Sequence, residues 1–167
     1  LHDRAGGAAA PGLSRPVETG RRVVPGAWCD YNGHMNESRY GQLFSDAADG
    51  LITLIGADAD YIARGFSYFT VEIHIRYLAE AVAGDAVSVA TQVLEGAGRK
   101  MRLFHWLRHA DGRLLATGEQ MLLHVSLSER RACAPEEAVA ARLAEIAEAH
   151  AALPLPEGAG RAVGERA

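Results

Sequence analysis

One amphipathic helix followed by a long run of two-residue alternation constrains this chain more than any other feature. From about Glu37 to Ile55, the residues Tyr40, Leu43, Phe44, Ala47, Leu51, Leu54 and Ile55 fall on one helical face. After it, Phe69, Val71, Ile73, Ile75 and Tyr77 share one strand face, with Thr70, Glu72, His74 and Arg76 on the other. Val87, Val89, Thr91 and Val93, then Met101 to His109, then Arg113 to Leu127 continue the pattern. A helix with one apolar stripe needs a cover, and a sheet with one apolar face supplies it. The predicted class is α+β: an antiparallel sheet wrapped around one long central helix.

Local signals punctuate that plan. Asn36 is a natural N-cap, with Met35 and Tyr40 placed to staple across it. Gly56 is a C′ stop, and a helical turn over Ala59 to Arg64 ends at Gly65. Asp111-Gly112 is a hairpin turn. Pro135, at the first helical position, opens a last helix to about Ala151. Ahead of the long helix, Arg21 to Cys29 is a short strand interrupted at Pro25-Gly26. Residues 1–20, rich in Gly, Ala and Pro, are predicted to be a flexible lead or linker, residues 21–151 the folded domain, and residues 152–167 a flexible tail.

With 167 residues, one domain is expected. The net charge of -4 argues against a nucleic-acid surface. No apolar run approaches the ~20 residues of a membrane span, and no signal-peptide core precedes the domain. Cys29 and Cys133 form neither a disulfide framework nor a zinc pattern, so a cytoplasmic setting is expected. Cys29 is read as a half-buried strand thiol rather than a nucleophile. His105 and His109 lie four apart on a strand, too far along it to share a metal, and no metal site is expected.

The chemistry concentrates in Asp30-Tyr31-Asn32-Gly33-His34-Met35-Asn36, at the strand-to-helix turn. Helix N-termini present unpaired N–H groups and the positive end of a dipole. A carboxylate beside such donors can act on a carbonyl whose oxygen they stabilise. Asp30 is therefore the candidate base or nucleophile, against the alternative of an Asx turn that only shapes the loop. The N–H groups of Asn36 and Glu37 are the candidate oxyanion donors. His34 orients water, touches the acyl group or braces the loop. Asn36 is a helix cap first and a catalytic residue second.

An Asp-x-x-Gly-His-x-Asn turn, then a long helix, then a four-strand meander resembles the hotdog-fold acyl-CoA thioesterases of the 4-hydroxybenzoyl-CoA thioesterase type, over roughly residues 21–130. In that family the aspartate four residues before the histidine is the catalytic carboxylate, which matches Asp30. Members with a Gly-His-Val-Asn-Asn ending carry a second Asn where this chain has Glu37. The stretches Asp30 to Tyr40, Ser67 to Glu72 and Leu114 to Glu119 are most similar to betainyl-CoA thioesterases of carnitine breakdown, found alone or fused behind an L-carnitine dehydrogenase. The Gly/Ala/Pro lead suits such a fusion, though no Gly-rich dinucleotide turn is present in these residues.

The resemblance implies hydrolysis of a short acyl-CoA, with betainyl-CoA the expected substrate, no cofactor beyond the CoA thioester itself, and a homodimer, or a tetramer built from dimers, with sites between subunits. Trp28, Tyr31, Tyr68, Phe69 and Trp106 are candidate aromatic walls for a quaternary ammonium, with Glu72 as a charge partner. Arg99, Lys100, Arg130 and Arg131 are candidates for the CoA phosphates. Three other functions remain open on sequence: a general short-chain or aromatic acyl-CoA thioesterase, a hotdog dehydratase or hydratase using Asp46 or Asp49 of the helix, and a non-catalytic acyl-CoA binding module.

Overall fold

A computed structural model describes residues 13–165. The order is β1 (Val17–Val23), a 3-10 turn (Gly26–Trp28), α1 (Glu37–Leu54), α2 (Ala59–Ala63), β2 (Phe66–Tyr77), β3 (Ala86–Ala97), β4 (Lys100–His109), β5 (Leu114–Ser126), β6 (Arg131–Ala132) and α3 (Glu137–Ala151). All strand pairs are antiparallel, in the order β1-β3-β4-β5-β2, with the short β6 added to β5.

The long helix forms where its caps place it. Asn36 Oδ1 accepts the Ser38 N–H at 3.0 Å, which satisfies one of the first orphan donors. Gly56, at φ 92°, closes the other end, with its N–H on Thr53 and the Ala57 N–H on Ile52, both at 3.0 Å. Tyr40, Leu43, Phe44 and Ala47 pack with Val87, Val89, Leu107 and Leu115 of the sheet. Ala48, Leu51, Ile52 and Ile55 pack with Val139, Leu143 and Ile146 of α3. Leu54 is exposed, so the stripe turns through Ala48 and Ile52 instead.

Four boundaries differ from expectation. The strand predicted over Arg21 to Cys29 runs over Val17–Val23, because Pro25 and Gly26 start a 3-10 turn. The predicted flexible lead therefore ends in strand, with Val17 opposite Thr91, and its first twelve residues lie outside those described. Pro135 stands one residue ahead of the α3 N-cap, Glu136. The described part of the predicted tail lies on the outer face of the sheet: Gln92 donates to the Pro154 carbonyl at 3.2 Å, and the Gly160 N–H donates to Glu119 at 2.7 Å.

The most consequential difference is a bulge in β2 between Thr70 and Glu72. One extra residue reverses which side chains point inward beyond it. Tyr68 and Thr70 pair with His124 and Leu122 on the inner face, and Ile73 and Ile75 pair with Gln120 and Gly118 there. Phe69, Val71 and Glu72 turn outward. The five apolar residues predicted to share a face are thus split by the bulge.

A polar chain crosses the sheet beneath α1. Thr19 meets Thr91 (2.7 Å), Thr91 meets His105 Nδ1 (2.7 Å), His105 Nε2 meets Gln120 Oε1 (3.0 Å), and Gln120 donates to Thr70 (2.6 Å). The Gln120 oxygen accepts, so His105 carries a proton on Nε2. Burial holds this imidazole at a pKa of about 4, below the ordinary 6.5. Between those values the unfolded chain takes up a proton that the native chain refuses. Stability is therefore retained above pH 6.5 and falls as pH drops toward 4, by about 3 kcal/mol from this group. Burial of His124 and His150 acts in the same direction. Urea midpoints measured from pH 7 to 4 should fall, and His105→Gln should flatten part of that slope; an unchanged slope would refute the assignment.

Candidate active site

The Asp30 turn is built from the backbone outward. The Gly33 N–H donates to the Asp30 carbonyl at 2.9 Å, Gly33 takes φ 78°, and the Asp30 N–H donates back to His34 at 2.9 Å. Asp30 Oδ1 accepts the Asn32 N–H at 2.9 Å, so it is an Asx turn as well as a candidate catalyst; its other oxygen makes no hydrogen bond among the described residues. The Met35 N–H donates to Ala81 (2.7 Å) and the Asn36 N–H to Trp28 (2.8 Å), which ties the turn to the segment after β2 and to the 3-10 turn.

The turn opens on a cavity of about 370 Å³ lined by Asp30, His34, Met35, Tyr40, Tyr77 and Glu80 among others. His34 Nε2 lies 3.0 Å from the Glu80 carboxylate. The Tyr77 hydroxyl donates to the Glu37 carbonyl at 3.2 Å, and its ring meets Tyr40 edge-on, with centroids 5.1 Å apart. The Tyr40 hydroxyl donates to Ala79 at 3.3 Å. Burial raises the pKa of both tyrosines above the ordinary value, so their hydroxyls stay protonated.

Several predicted site residues lie elsewhere. The Asn36 N–H is not an oxyanion donor, because Trp28 accepts it; the Glu37 N–H makes no hydrogen bond among the described residues and is the remaining candidate. The Asn36 side chain is engaged as the cap, bonding both the Ser38 N–H and its hydroxyl. Trp28 is buried, with the Arg22 guanidinium 4.2 Å and that of Arg39 5.2 Å from its ring centre, so its faces already hold cations. Tyr31 is 97% exposed. Tyr68 is buried against His124; Phe69 faces outward because of the bulge, and Glu72 faces outward with His74 and Arg76. Trp106 packs against Phe104 away from the turn. None of these aromatics lines the cavity that holds Asp30.

Glu80, Tyr77 and Tyr40 are wall residues that the sequence does not announce. Tyr77 and Tyr40 carry an apolar-stripe signal that reads as core, and Glu80 joins the site only because Ala81 and Val82 pair back to Met35 and His34. Asp46 and Asp49 are exposed on α1 and do not line this cavity. Cys29 is half-buried beside Pro25.

Arg130 and Arg131 line a second groove, of about 540 Å³, with Phe69, Val71 and Leu123 on the outer face. Lys100 sits opposite Leu123, and Arg99 accepts the His124 N–H through its carbonyl, so all four predicted basic residues gather near this groove. It lies at the Phe69 end of β2, about 26 Å along the strand from Tyr77. Among the described residues no group of three or more His, Cys, Asp or Glu is placed to hold a metal ion, and no helix is long and apolar enough to cross a membrane.

The curled antiparallel sheet, the central helix and the acidic turn at that helix's start define a hotdog-fold protein. The chain belongs to the thioesterase-like superfamily, whose family model matches residues 24–143. It is 54% identical over 151 residues to the L-carnitine dehydrogenase/betainyl-CoA thioesterase of Ruegeria pomeroyi, covering 90% of this chain and 31% of that protein's length. It is 42% identical to the betainyl-CoA thioesterase of Pseudomonas aeruginosa, covering 91% of this chain and 97% of that one. A Staphylococcus aureus protein solved in complex with CoA superposes with a TM-score of 0.83 over 91% of this chain and 98% of its own, at 24% identity, a likeness of fold.

Proposed function

We propose that this chain is an acyl-CoA thioesterase that hydrolyses a short, cationic acyl-CoA, betainyl-CoA, to the free acid and CoA. The observation that carries the reading is Asp30. Its carboxylate shares one cavity with Tyr40 of the first turn of α1, in a chain that matches proteins named betainyl-CoA thioesterase over most of its length. Water adds to the thioester carbonyl, the C–S bond breaks, and the proton passes to the leaving thiolate. Asp30 either removes the water proton or attacks the carbonyl itself. The Glu37 N–H and the dipole of α1 receive the developing oxyanion. The reaction so written needs no metal or cofactor. A dehydratase is disfavoured because the helix carboxylates lie outside the cavity. Release of free thiol from short acyl-CoAs tests the activity; binding without release would leave an acyl-CoA binding module.

The same reading includes a dimer. The β2 edge is twelve residues long and carries exposed Phe69, Val71, Ile73 and Tyr77, whereas the opposite edge, β1, is short and charged at Arg21 and Arg22. A two-fold axis perpendicular to the sheet runs two β2 strands antiparallel. That brings the Phe69 end of one chain, with Arg130 and Arg131, toward the Tyr77 end of the other. That separation of about 26 Å within one chain then becomes a route for one CoA across two. Light scattering at micromolar concentration should give a mass of at least twice 17.8 kDa. A mass of one chain would sink the shared site.

A further inference from the structure

We infer that Tyr77 and Glu80 form the binding site for the quaternary ammonium head of the acyl group and decide the preference for a cation. The inference rests on the proposed betainyl-CoA activity and adds which residues of this chain carry its selectivity.

Bond connectivity restricts the location. In a betainyl thioester the ammonium nitrogen is attached to the carbon that bears the reacting carbonyl. The head group therefore cannot be held far from the carbonyl carbon on which Asp30 acts, and its recognition must come from the walls of the Asp30 cavity. Within one chain that requirement excludes Tyr68 in its core cluster, Phe69 and Glu72 on the outer face, and Trp28, whose ring is already covered by two guanidinium groups.

The walls that remain have the right chemistry. A trimethylammonium group has no N–H to donate and is weakly hydrated, so it is recognised by aromatic faces and by nearby negative charge rather than by hydrogen bonds. Tyr77 is 49% exposed in the cavity wall. Its orientation is set by the hydroxyl bond to the Glu37 carbonyl and by the edge-on Tyr40 ring. The first of these ties the ring to the residue whose N–H is the remaining oxyanion donor, so head group and carbonyl oxygen are gauged from one point at the start of α1. Glu80 adds a carboxylate to the same cavity, held by His34 at 3.0 Å and otherwise open, with its side chain 72% exposed. A head group that makes no hydrogen bonds has no need to displace that His34 contact. Asp30 and Glu80 give the cavity two carboxylates against one histidine, which favours a cation over a neutral group of the same shape.

The test compares kcat/KM for betainyl-CoA with that for 3,3-dimethylbutyryl-CoA, its uncharged isostere, in the wild type and in Tyr77→Leu, Tyr77→Phe and Glu80→Gln. The ratio of the two substrates is the readout, because a merely structural defect lowers both. Tyr77→Leu and Glu80→Gln should each lower the ratio by about 3- to 30-fold. Tyr77→Phe keeps the aromatic face and should hold the ratio within about twofold of wild type. A wild type that prefers betainyl-CoA, with the preference intact in Tyr77→Leu and Glu80→Gln, would overturn this site while leaving the proposed activity standing. A wild-type ratio near one would overturn both.

Discussion

Asp30→Asn should reduce kcat on the best acyl-CoA substrate by about 10²-fold or more while leaving the circular dichroism spectrum and the oligomer mass unchanged. The amide cannot take a proton from water and cannot attack the carbonyl, so both routes open to the carboxylate are closed. Its remaining oxygen can still accept the Asn32 N–H, so the Asx turn survives the change. The Gly33 and His34 backbone bonds that shape the loop do not involve the side chain at all. KM should move far less than kcat, because the cavity walls at Tyr77 and Glu80 remain. An Asp30→Asn enzyme with near wild-type kcat would remove Asp30 from the chemistry and leave it as a turn residue.

Phe44→Ala should destabilise the fold by about 3–5 kcal/mol. Phe44 is fully buried on α1 and stacks on His105 with ring centres 5.4 Å apart. It fills the space above Gly118, where a Cβ would lie 2.7 Å from the Phe44 ring. Only glycine lets β5 approach the helix this closely, so the pair sets how tightly α1 lies on the sheet. The truncation opens a cavity directly over the His105–Gln120 chain. The melting temperature, measured at one fixed protein concentration, should fall by roughly 6–20 °C for a chain of this size. A fall of a degree or two would mean that the sheet collapses onto the helix without Phe44.

The sequence made the long helix and its caps plain. Asn36, Gly56 and the apolar stripe from Tyr40 to Ile55 act through residues three or four apart, and such signals are local. Asp30 was legible for the same reason: the turn that holds it closes within five residues. What stayed hidden depends on pairing between distant segments. Alternation in β2 does not reveal the bulge between Thr70 and Glu72, because a bulge is set by the register with β5. That single residue separates Phe69 and Val71 from the inner face of Ile73 and Ile75, while Glu72 stays on the outer face with His74 and Arg76. Trp28 flanks the motif in sequence, yet Arg22 and Arg39 take its faces once β1 and α1 pack. Glu80 showed no signal of its own, since it reaches His34 only through the return of the chain after β2. Proximity in sequence to a catalytic turn is a weak guide to its walls; the segment that pairs with the turn supplies them.

Hydrolysis of a short cationic acyl-CoA by this chain is tested by wild-type kcat/KM values for betainyl-CoA, 3,3-dimethylbutyryl-CoA and palmitoyl-CoA, followed by release of free CoA thiol. Betainyl-CoA is expected to exceed its neutral isostere by about 10- to 10³-fold, the sum of one or two desolvated cation contacts and a nearby carboxylate, and to exceed palmitoyl-CoA as well. Equal values for the charged and neutral pair, or a preference for palmitoyl-CoA, would contradict it.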